Sequence, residues 1–277
     1  MNTRPRTLII NALSYGFLAV VLALFLFPIF WMFLTSIKRP VDTFAIPPVW
    51  VFKPTWENYV RTFLQKEYYR YLWNSLSITT ASIVIATFLS ALAAYGTARF
   101  RFIGRTQLLL GLLIFYTIPS IAYAIPLFLV FGRLGLLDTV WGLILVFTAL
   151  TIPFATWVLH GYFVSIPRDL EEAAMVDGCS RLGALFRVTL PLAAPGVAAT
   201  AVLTFISTWN SFLYPAILAG SRTKTLPIAV AAFITDTRIE WGQAAAVACT
   251  IIIPVLALTI AAQRFIIMGL TGGAVKE

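Results

Sequence analysis

Six apolar segments, each long enough to cross a bilayer as a helix, most constrain what this chain can fold into. A helix needs about 20 apolar residues to span the hydrocarbon core. The segments are residues 11–36, 74–98, 107–131, 140–163, 191–219 and 243–267. Helices are expected because an open strand edge in lipid would leave backbone groups without hydrogen-bond partners. The sequence therefore predicts an all-α polytopic membrane protein with six transmembrane helices.

The composition also indicates a lipid environment. Of the 277 residues, 60% are hydrophobic and 11% are charged, whereas about 25% are charged in soluble globular domains. The net charge of +9 does not indicate a nucleic-acid partner, because the basic residues are spread between the apolar segments. The two cysteines, Cys179 and Cys249, predict neither a disulfide nor a metal site.

The first apolar segment resembles a signal peptide only in its basic start, Arg4 and Arg6. It continues to Ile37 without a small-residue cleavage site, so we interpret it as an uncleaved first span. Six spans would put both termini on one side of the membrane, together with the polar segment 164–190. Lys and Arg number ten on each side, so the positive-inside rule does not choose the orientation.

The polar segment between the fourth and fifth spans has the pattern of a helical hairpin. Pro167 suits the first turn of a helix, and the acidic residues after it complement the helix N-terminus. Gly178 predicts the end of that helix, because glycine adopts a left-handed backbone at little cost. Ser180 suits the N-cap of a second short helix, which Pro191 stops. From this pattern alone, the hairpin is either a well-capped connector or a surface that contacts a partner in water.

The spacing within the hairpin resembles the cytoplasmic "EAA" loop of ATP-binding-cassette (ABC) importer permeases. Glu172-Ala173-Ala174 is followed after three residues by Gly178, and after nine more by Val188-Thr189-Leu190-Pro191, with Val188 where the pattern usually has isoleucine. Two further segments resemble the maltose-type carbohydrate branch of this family. They are Trp209-Asn210-Ser211-Phe212 and the C-terminal stretch from Gln263-Arg264 through Gly269-Leu270-Thr271-Gly272-Gly273 to Lys276.

This resemblance implies a type I ABC importer permease fold with a cytoplasmic coupling helix-turn-helix, in a single domain of residues 1–277. Such permeases are multi-pass proteins of the bacterial cytoplasmic membrane, surrounded by lipid, with both termini in the cytoplasm. They assemble with a second, related permease, two ATPase subunits and a periplasmic or lipid-anchored solute-binding protein. The chain is then not an enzyme and has no cofactor, since the partner ATPases bind ATP and Mg. The sequence agrees in having no G-x-x-x-x-G-K-[ST] phosphate loop.

The resemblance also implies which residues couple the chain to the ATPase. In the hairpin they are Glu172, Ala173, Ala174, Asp177, Gly178, Leu190 and Pro191. The small residues would allow tight docking, and Glu172 would meet a basic or hydrogen-bonding group of the ATPase. The tail, residues 268–277, is expected either to reach the ATPase, through Gly272, Gly273 and Lys276, or to be a disordered end.

Polar and aromatic residues within spans are candidates for the solute path. They include Trp209, Asn210, Tyr116 and Asn74. Asn74 lies at a span end, where it can instead cap a helix, and Tyr116 can equally serve packing. We expect a sugar of di- or oligosaccharide size as the solute. Glycerol phosphate or a polyol is an alternative within the family, and a self-sufficient secondary transporter is an alternative outside it.

Overall fold

A computed structural model describes residues 4–233 and 239–271. These residues form helices joined by turns, as the sequence predicts. In chain order the helices are α1 (Arg4–Ser36), α2 (Pro40–Thr43), α3 (Glu57–Tyr59), α4 (Tyr69–Arg99), α5 (Arg105–Thr117), α6 (Ser120–Arg133), α7 (Val140–Ser165), α8 (Asp169–Val176), α9 (Arg181–Ala184), α10 (Leu190–Leu192), α11 (Ala194–Trp209), α12 (Leu213–Leu218), α13 (Leu226–Ala231) and α14 (Trp241–Thr271). Two π-helical segments, Val60–Gln65 and Leu185–Thr189, follow α3 and α9.

Four helical segments of the described chain are long and apolar enough to cross a membrane. They are Ile10–Ser36, Tyr69–Arg99, Val140–Ser165 and Trp241–Gln263. Two bent pairs of helices raise the number to six if each pair counts as one span. The pairs are Arg105–Thr117 with Ser120–Arg133, bent by 94°, and Arg181–Leu192 with Ala194–Trp209, bent by 77°.

The third and fifth predicted spans are the two that are bent in the structure. The segment 107–131 is broken at Pro119, and the residue before it, Ile118, has an extended backbone with ψ of 130°. Proline disfavours the helical conformation in the residue that precedes it, which explains the break. The predicted segment 191–219 bends before Ala194, and α11 ends at Trp209 rather than at residue 219.

The described chain divides into two compact units, and the single domain of residues 1–277 stays a prediction. The first unit runs to Tyr68 and includes Val230–Ile252. Inside it, the Asn58 side chain donates to the backbone carbonyls of Ser36 and Lys38 at 2.9 and 2.8 Å. These two hydrogen bonds hold α3 against the C-terminal end of α1. They are tertiary contacts within the first unit.

The second unit comprises Tyr69–Ala229 and the part of α14 from Ile253 onward. Its centre is the packing of α4 on α7, and α11 packs on both of these helices. Alanines on α4 bring its backbone close to its neighbours, since small residues permit close helix approach. One buried cluster joins Ala94 and Tyr95 of α4 to Leu159 of α7 and to Leu185 in the hairpin. The hairpin is therefore part of the core of this unit.

Candidate functional site

The polar hairpin folds as two short helices, α8 and α9, joined by a tight turn. Gly178 has a φ of +91°, a left-handed backbone that favours glycine. The N–H of Cys179 donates to the carbonyl of Ala174 at 3.0 Å, which closes the C-terminus of α8. The Ser180 hydroxyl accepts from the N–H of Gly183 at 3.1 Å and caps α9. The predicted helix end and N-cap are both present.

A buried carboxylate, that of Glu171, holds the hairpin to the rest of the second unit. Glu171 is 4% exposed. Its Oε1 accepts from Arg99 Nε at 2.7 Å and from Thr189 Oγ1 at 2.6 Å, and its Oε2 accepts from Tyr95 Oη at 3.0 Å. We call Glu171, Arg99, Tyr95 and Thr189 the anchor cluster. It joins α8 to the C-terminal end of α4 and to the π-helical segment that leads into the fifth span.

Two arginines add backbone contacts around the anchor cluster. Arg99 Nη2 donates to the carbonyl of Ile166 at 3.1 Å, and Arg168 Nη2 donates to the carbonyl of Ala98 at 3.0 Å. The end of α4 thus donates a hydrogen bond to the start of the hairpin, and the start of the hairpin donates one to the end of α4.

The anchor cluster keeps its carboxylate ionised. Burial raises the pKa of the Glu171 carboxyl, but hydrogen bonds from Arg99, Thr189 and Tyr95 lower it further than burial raises it. The pKa of Glu171 therefore lies below its usual value, and the side chain is charged at neutral pH. At neutral pH Glu171 therefore forms a buried ion pair with Arg99.

The opposite face of the hairpin is open. Of the predicted coupling residues, Glu172, Ala173, Asp177, Gly178 and Pro191 are exposed, and Ala174 and Leu190 are half-buried. Large apolar side chains lie beside them: Val176 is 87% exposed and Leu182 is 60% exposed. This face combines small, acidic and apolar groups on a short helix whose other side is anchored. The predicted tail residues Gly272, Gly273 and Lys276 lie outside the described residues.

Sequence reasoning missed the anchor cluster. Glu171 and Glu172 are neighbours on α8, and successive helical side chains point about 100° apart, so only one of them can face inward. The family pattern directs attention to Glu172, whereas the structure buries Glu171. An available signal was Arg99, a cation at the very end of an apolar span, which needs a partner if it is buried.

A cavity of about 400 Å³ lies among α5, α6, α7, α11 and α12. Its lining combines aromatic rings with hydroxyl groups, and no described residue of the lining is charged. The rings and hydroxyls are those of Phe115, Tyr116, Tyr123, Phe147, Phe154, Tyr214, Ser120, Thr151, Thr204, Ser207, Thr208 and Ser211. Two ring pairs form part of the wall, Tyr116 with Phe154 at 5.2 Å and Phe115 with Tyr123 at 4.8 Å between centroids.

Of the four predicted path residues, Tyr116 alone lines this cavity. Trp209 is 1% exposed and its ring stacks on Phe205 with a centroid distance of 5.7 Å. Asn210 donates to a backbone carbonyl one turn earlier in α11, at 2.9 Å. Asn74 donates to two backbone carbonyls, those of residues 222 and 224, at 2.9 and 3.1 Å. Packing explains the position of Trp209, and hydrogen bonds to the backbone explain those of Asn210 and Asn74, without a contact to solute.

The hydroxyl groups on α11 and just beyond it are path candidates that sequence reasoning missed. Thr204, Ser207, Thr208 and Ser211 are spaced at i, i+3, i+4 and i+7, which places them on one helical face. All four line the cavity. The periodicity was visible in the sequence, but the adjacent Trp209-Asn210 pair is the more conspicuous polar feature.

Known proteins resemble this chain along nearly its whole length. It is 38% identical to the probable ABC transporter permease protein y4oR of Sinorhizobium fredii, over 94% of each chain. It is 36% identical to the trehalose/maltose transport system permease protein MalG of Thermococcus litoralis, over 91% of each chain. Residues 86–267 match the family described as "Binding-protein-dependent transport system inner membrane component".

A solved structure shows the same fold. A chain of a bacterial ABC transporter involved in the import of the acidic polysaccharide alginate superposes with a TM-score of 0.77 and 23% identity, covering 95% of this chain and 98% of that one. The predicted fold class, a type I ABC importer permease fold, is confirmed. This chain is therefore a multi-pass inner-membrane protein, and it belongs to the family of membrane components of binding-protein-dependent transport systems.

Proposed function

We propose that this chain is the permease subunit of an ATP-driven importer that moves a sugar, of di- or oligosaccharide size, by alternating access. The observation that carries the proposal is the cavity of the second unit, in which aromatic rings and hydroxyls meet. Rings stack on the apolar faces of sugars, and hydroxyls pair with sugar hydroxyls, so a few such groups fix a sugar's orientation. The relative named for trehalose and maltose supports this choice.

The lining of the cavity also argues against glycerol phosphate. A phosphorylated solute is best held by arginine or lysine, whose charged hydrogen bonds match phosphate oxygens. None of the described residues around the cavity carries a charge. A neutral sugar fits this lining better than an anion.

In this proposal the open face of the hairpin docks onto an ATPase subunit in the cytoplasm. Ala173 and Gly178 bring the hairpin backbone close to that partner, and Glu172 meets a basic or hydrogen-bonding group on it. The exposed apolar side chains of Val176 and Leu182 become buried in the contact. In the same proposal both termini lie in the cytoplasm, and the tail residues Gly272, Gly273 and Lys276, which lie outside the described residues, contact the ATPases.

The proposal also includes the other subunits of the importer. Two ATPase subunits bind the ATP and Mg that drive the cycle, so the permease itself needs no cofactor and carries out no hydrolysis. A second, related permease completes the path, and a periplasmic or lipid-anchored protein delivers the solute. An 18-residue apolar window of α1 has none of its residues buried within the chain, so this helix offers its apolar surface to lipid or to the second permease.

The test begins with mild-detergent purification of the tagged chain together with the subunits that accompany it. The importer is reconstituted with its binding protein, and ATP-dependent uptake is compared for disaccharides, oligosaccharides and glycerol phosphate. Ser207→Ala removes a hydroxyl from the cavity wall and is expected to lower sugar uptake about fivefold, the value of one neutral hydrogen bond. The matched control is Ser77→Ala on α4, because Ser77 lies outside the cavity lining.

Two results would overturn the proposal. Uptake of glycerol phosphate without uptake of any sugar would contradict the assignment of the solute. Purification of the chain without an ATPase, combined with transport driven by an ion gradient, would identify a secondary transporter instead.

A further inference from the structure

A second groove, in the first compact unit, combines an apolar wall with a buried cation. Its volume is about 500 Å³, within the range of about 300–1,000 Å³ typical of small-molecule sites. The wall is formed by the end of α1, by the segment after it and by the start of α14. It includes the side chains of Trp31, Met32, Phe44, Trp241 and Ala248. Lys38 also lines the groove.

Lys38 is 2% exposed, which is unusual for a lysine. Its ammonium group lies 4.6 Å from the ring centroid of Trp31 and 5.1 Å from that of Phe52. No ion pair joins Lys38 to a carboxylate of the described residues. Three acidic side chains of the same unit are paired with other cations: Asp42 with Arg39, Glu57 with Arg61, and Glu240 with Lys66.

A buried ammonium group costs free energy unless an anion or several hydrogen-bond acceptors compensate it. The rings of Trp31 and Phe52 supply part of that compensation through cation–π attraction. An anion in the groove would supply the remainder. The apolar wall beside the ammonium group selects an anion that also carries a hydrocarbon chain.

We propose that this groove binds one anionic phospholipid. The headgroup phosphate accepts hydrogen bonds from Lys38, and an acyl chain lies along the apolar wall between α1 and α14. The position agrees with this chemistry, because Trp31 and Trp241 lie near the ends of apolar helices, where tryptophan marks the boundary between hydrocarbon and headgroups. The inference depends on the chain being a membrane protein and not on the identity of its solute.

The test measures which lipid stays bound. The full-length chain, with the subunits that accompany it, is equilibrated in maltoside micelles containing equal amounts of phosphatidylglycerol and phosphatidylcholine with the same acyl chains. After washing, the retained lipids are quantified by mass spectrometry. The wild type is expected to retain phosphatidylglycerol about tenfold over phosphatidylcholine, because both carry a phosphate but the quaternary ammonium of choline offsets that charge beside Lys38. Lys38→Met removes the charge at nearly constant length and is expected to abolish this preference.

Two further variants keep the result interpretable. Lys53→Met removes an exposed lysine from the same segment and is expected to leave the preference unchanged. Ala248→Phe fills the apolar wall while leaving Lys38 in place, and it is expected to lose the bound lipid. If Lys38→Met fails to fold, the wild type and Ala248→Phe still decide the question.

Four outcomes would overturn the proposal. They are equal retention of the two lipids by the wild type, an undiminished preference in Lys38→Met, displacement of phosphatidylglycerol by an equal concentration of inorganic phosphate, and no retained lipid at all. Displacement by phosphate would identify a site for free anions. The absence of retained lipid would mean that an accompanying subunit covers the groove.

Discussion

Glutamine in place of Glu171 is expected to destabilise the protein by about 3–5 kcal/mol, the usual cost of removing one partner from a buried ion pair. In the wild type, both carboxylate oxygens accept hydrogen bonds, and the side chains of Arg99 and Glu171 are only 7% and 6% exposed. Solvent therefore screens this pair very little. Glutamine preserves the shape but leaves the guanidinium group buried without a counter-charge.

Glu172 provides a matched control, because it is the next residue of the same helix and is exposed. Glu172→Gln is expected to change the free energy of unfolding by less than about 0.5 kcal/mol, as is usual for surface substitutions. It should instead reduce the stimulation of ATP hydrolysis by the loaded binding protein, since the proposed contact of Glu172 is with the ATPase. The two variants are therefore expected to differ in kind: Glu171→Gln lowers the free energy of unfolding, and Glu172→Gln lowers the coupling to ATP hydrolysis.

The free energy of unfolding is measured by titrating mixed micelles with SDS and following tryptophan fluorescence. A double variant, Glu171→Met with Arg99→Met, replaces the pair by apolar groups. It is expected to recover much of the loss, because burying two apolar side chains avoids an unpaired charge. The coupling energy between the two positions follows from the double-mutant cycle.

The outcome that refutes this reasoning is a Glu171→Gln variant whose unfolding free energy lies within about 0.5 kcal/mol of the wild type. The guanidinium of Arg99 would then be compensated without the carboxylate, and the hairpin would not depend on the anchor cluster. A double variant no more stable than the single variant would also contradict the interpretation, since the cost would then not come from an unpaired charge.

Two other predictions concern turns outside the spans. Gly178→Asp places a β-carbon at a φ of +91° on the open face of the hairpin. This variant should insert normally, as judged by its yield in the membrane, but it should abolish transport-coupled ATP hydrolysis. The control is Gly104→Asp, which has the same φ but lies outside the hairpin and should retain coupling. Asp138 accepts from the Thr223 side chain and from the backbone N–H groups of residues 220, 222 and 223. Burial raises the pKa of Asp138, but these bonds hold it below its usual value. Their stabilisation is therefore complete above about pH 4, the ordinary pKa, and is lost as pH falls through the lowered pKa. Asp138→Asn should lower the unfolding free energy at pH 7 and flatten its decline in acid, and equal slopes for both proteins would contradict this.

Local features of the fold were predictable from the sequence because neighbouring residues determine them. The turn at Gly178 and the cap at Ser180 depend on backbone conformation and on bonds that reach only three or four residues. The break at Pro119 has an equally local cause, since proline disfavours the helical conformation of the residue before it, although hydropathy alone reports the length of a segment and not its straightness.

Features that depend on distant residues were not predictable in the same way. The partner of Glu171 lies 72 positions away on α4, and a single sequence gives no register between the end of that helix and the hairpin. Asn74 illustrates the same difficulty, because its partners are backbone carbonyls about 150 residues later. A polar residue in a span indicates that some partner exists, but the tertiary packing decides whether that partner is a solute or a carbonyl group.

The position of the anchor cluster explains how a contact on the hairpin can act on the cavity. Displacing α8 alone would separate Glu171 from Arg99 and Thr189, so α8 must carry the end of α4 and the 185–189 segment with it. Leu185 is fully buried in the cluster that also contains Leu159 of α7. Since α4 packs on α7 and α11, and the latter two line the cavity, we expect a movement of the hairpin that carries α4 with it to reach the cavity wall. A buried ion pair suits this role better than apolar contacts alone, because its hydrogen bonds have fixed partners and directions and it cannot slide without being broken.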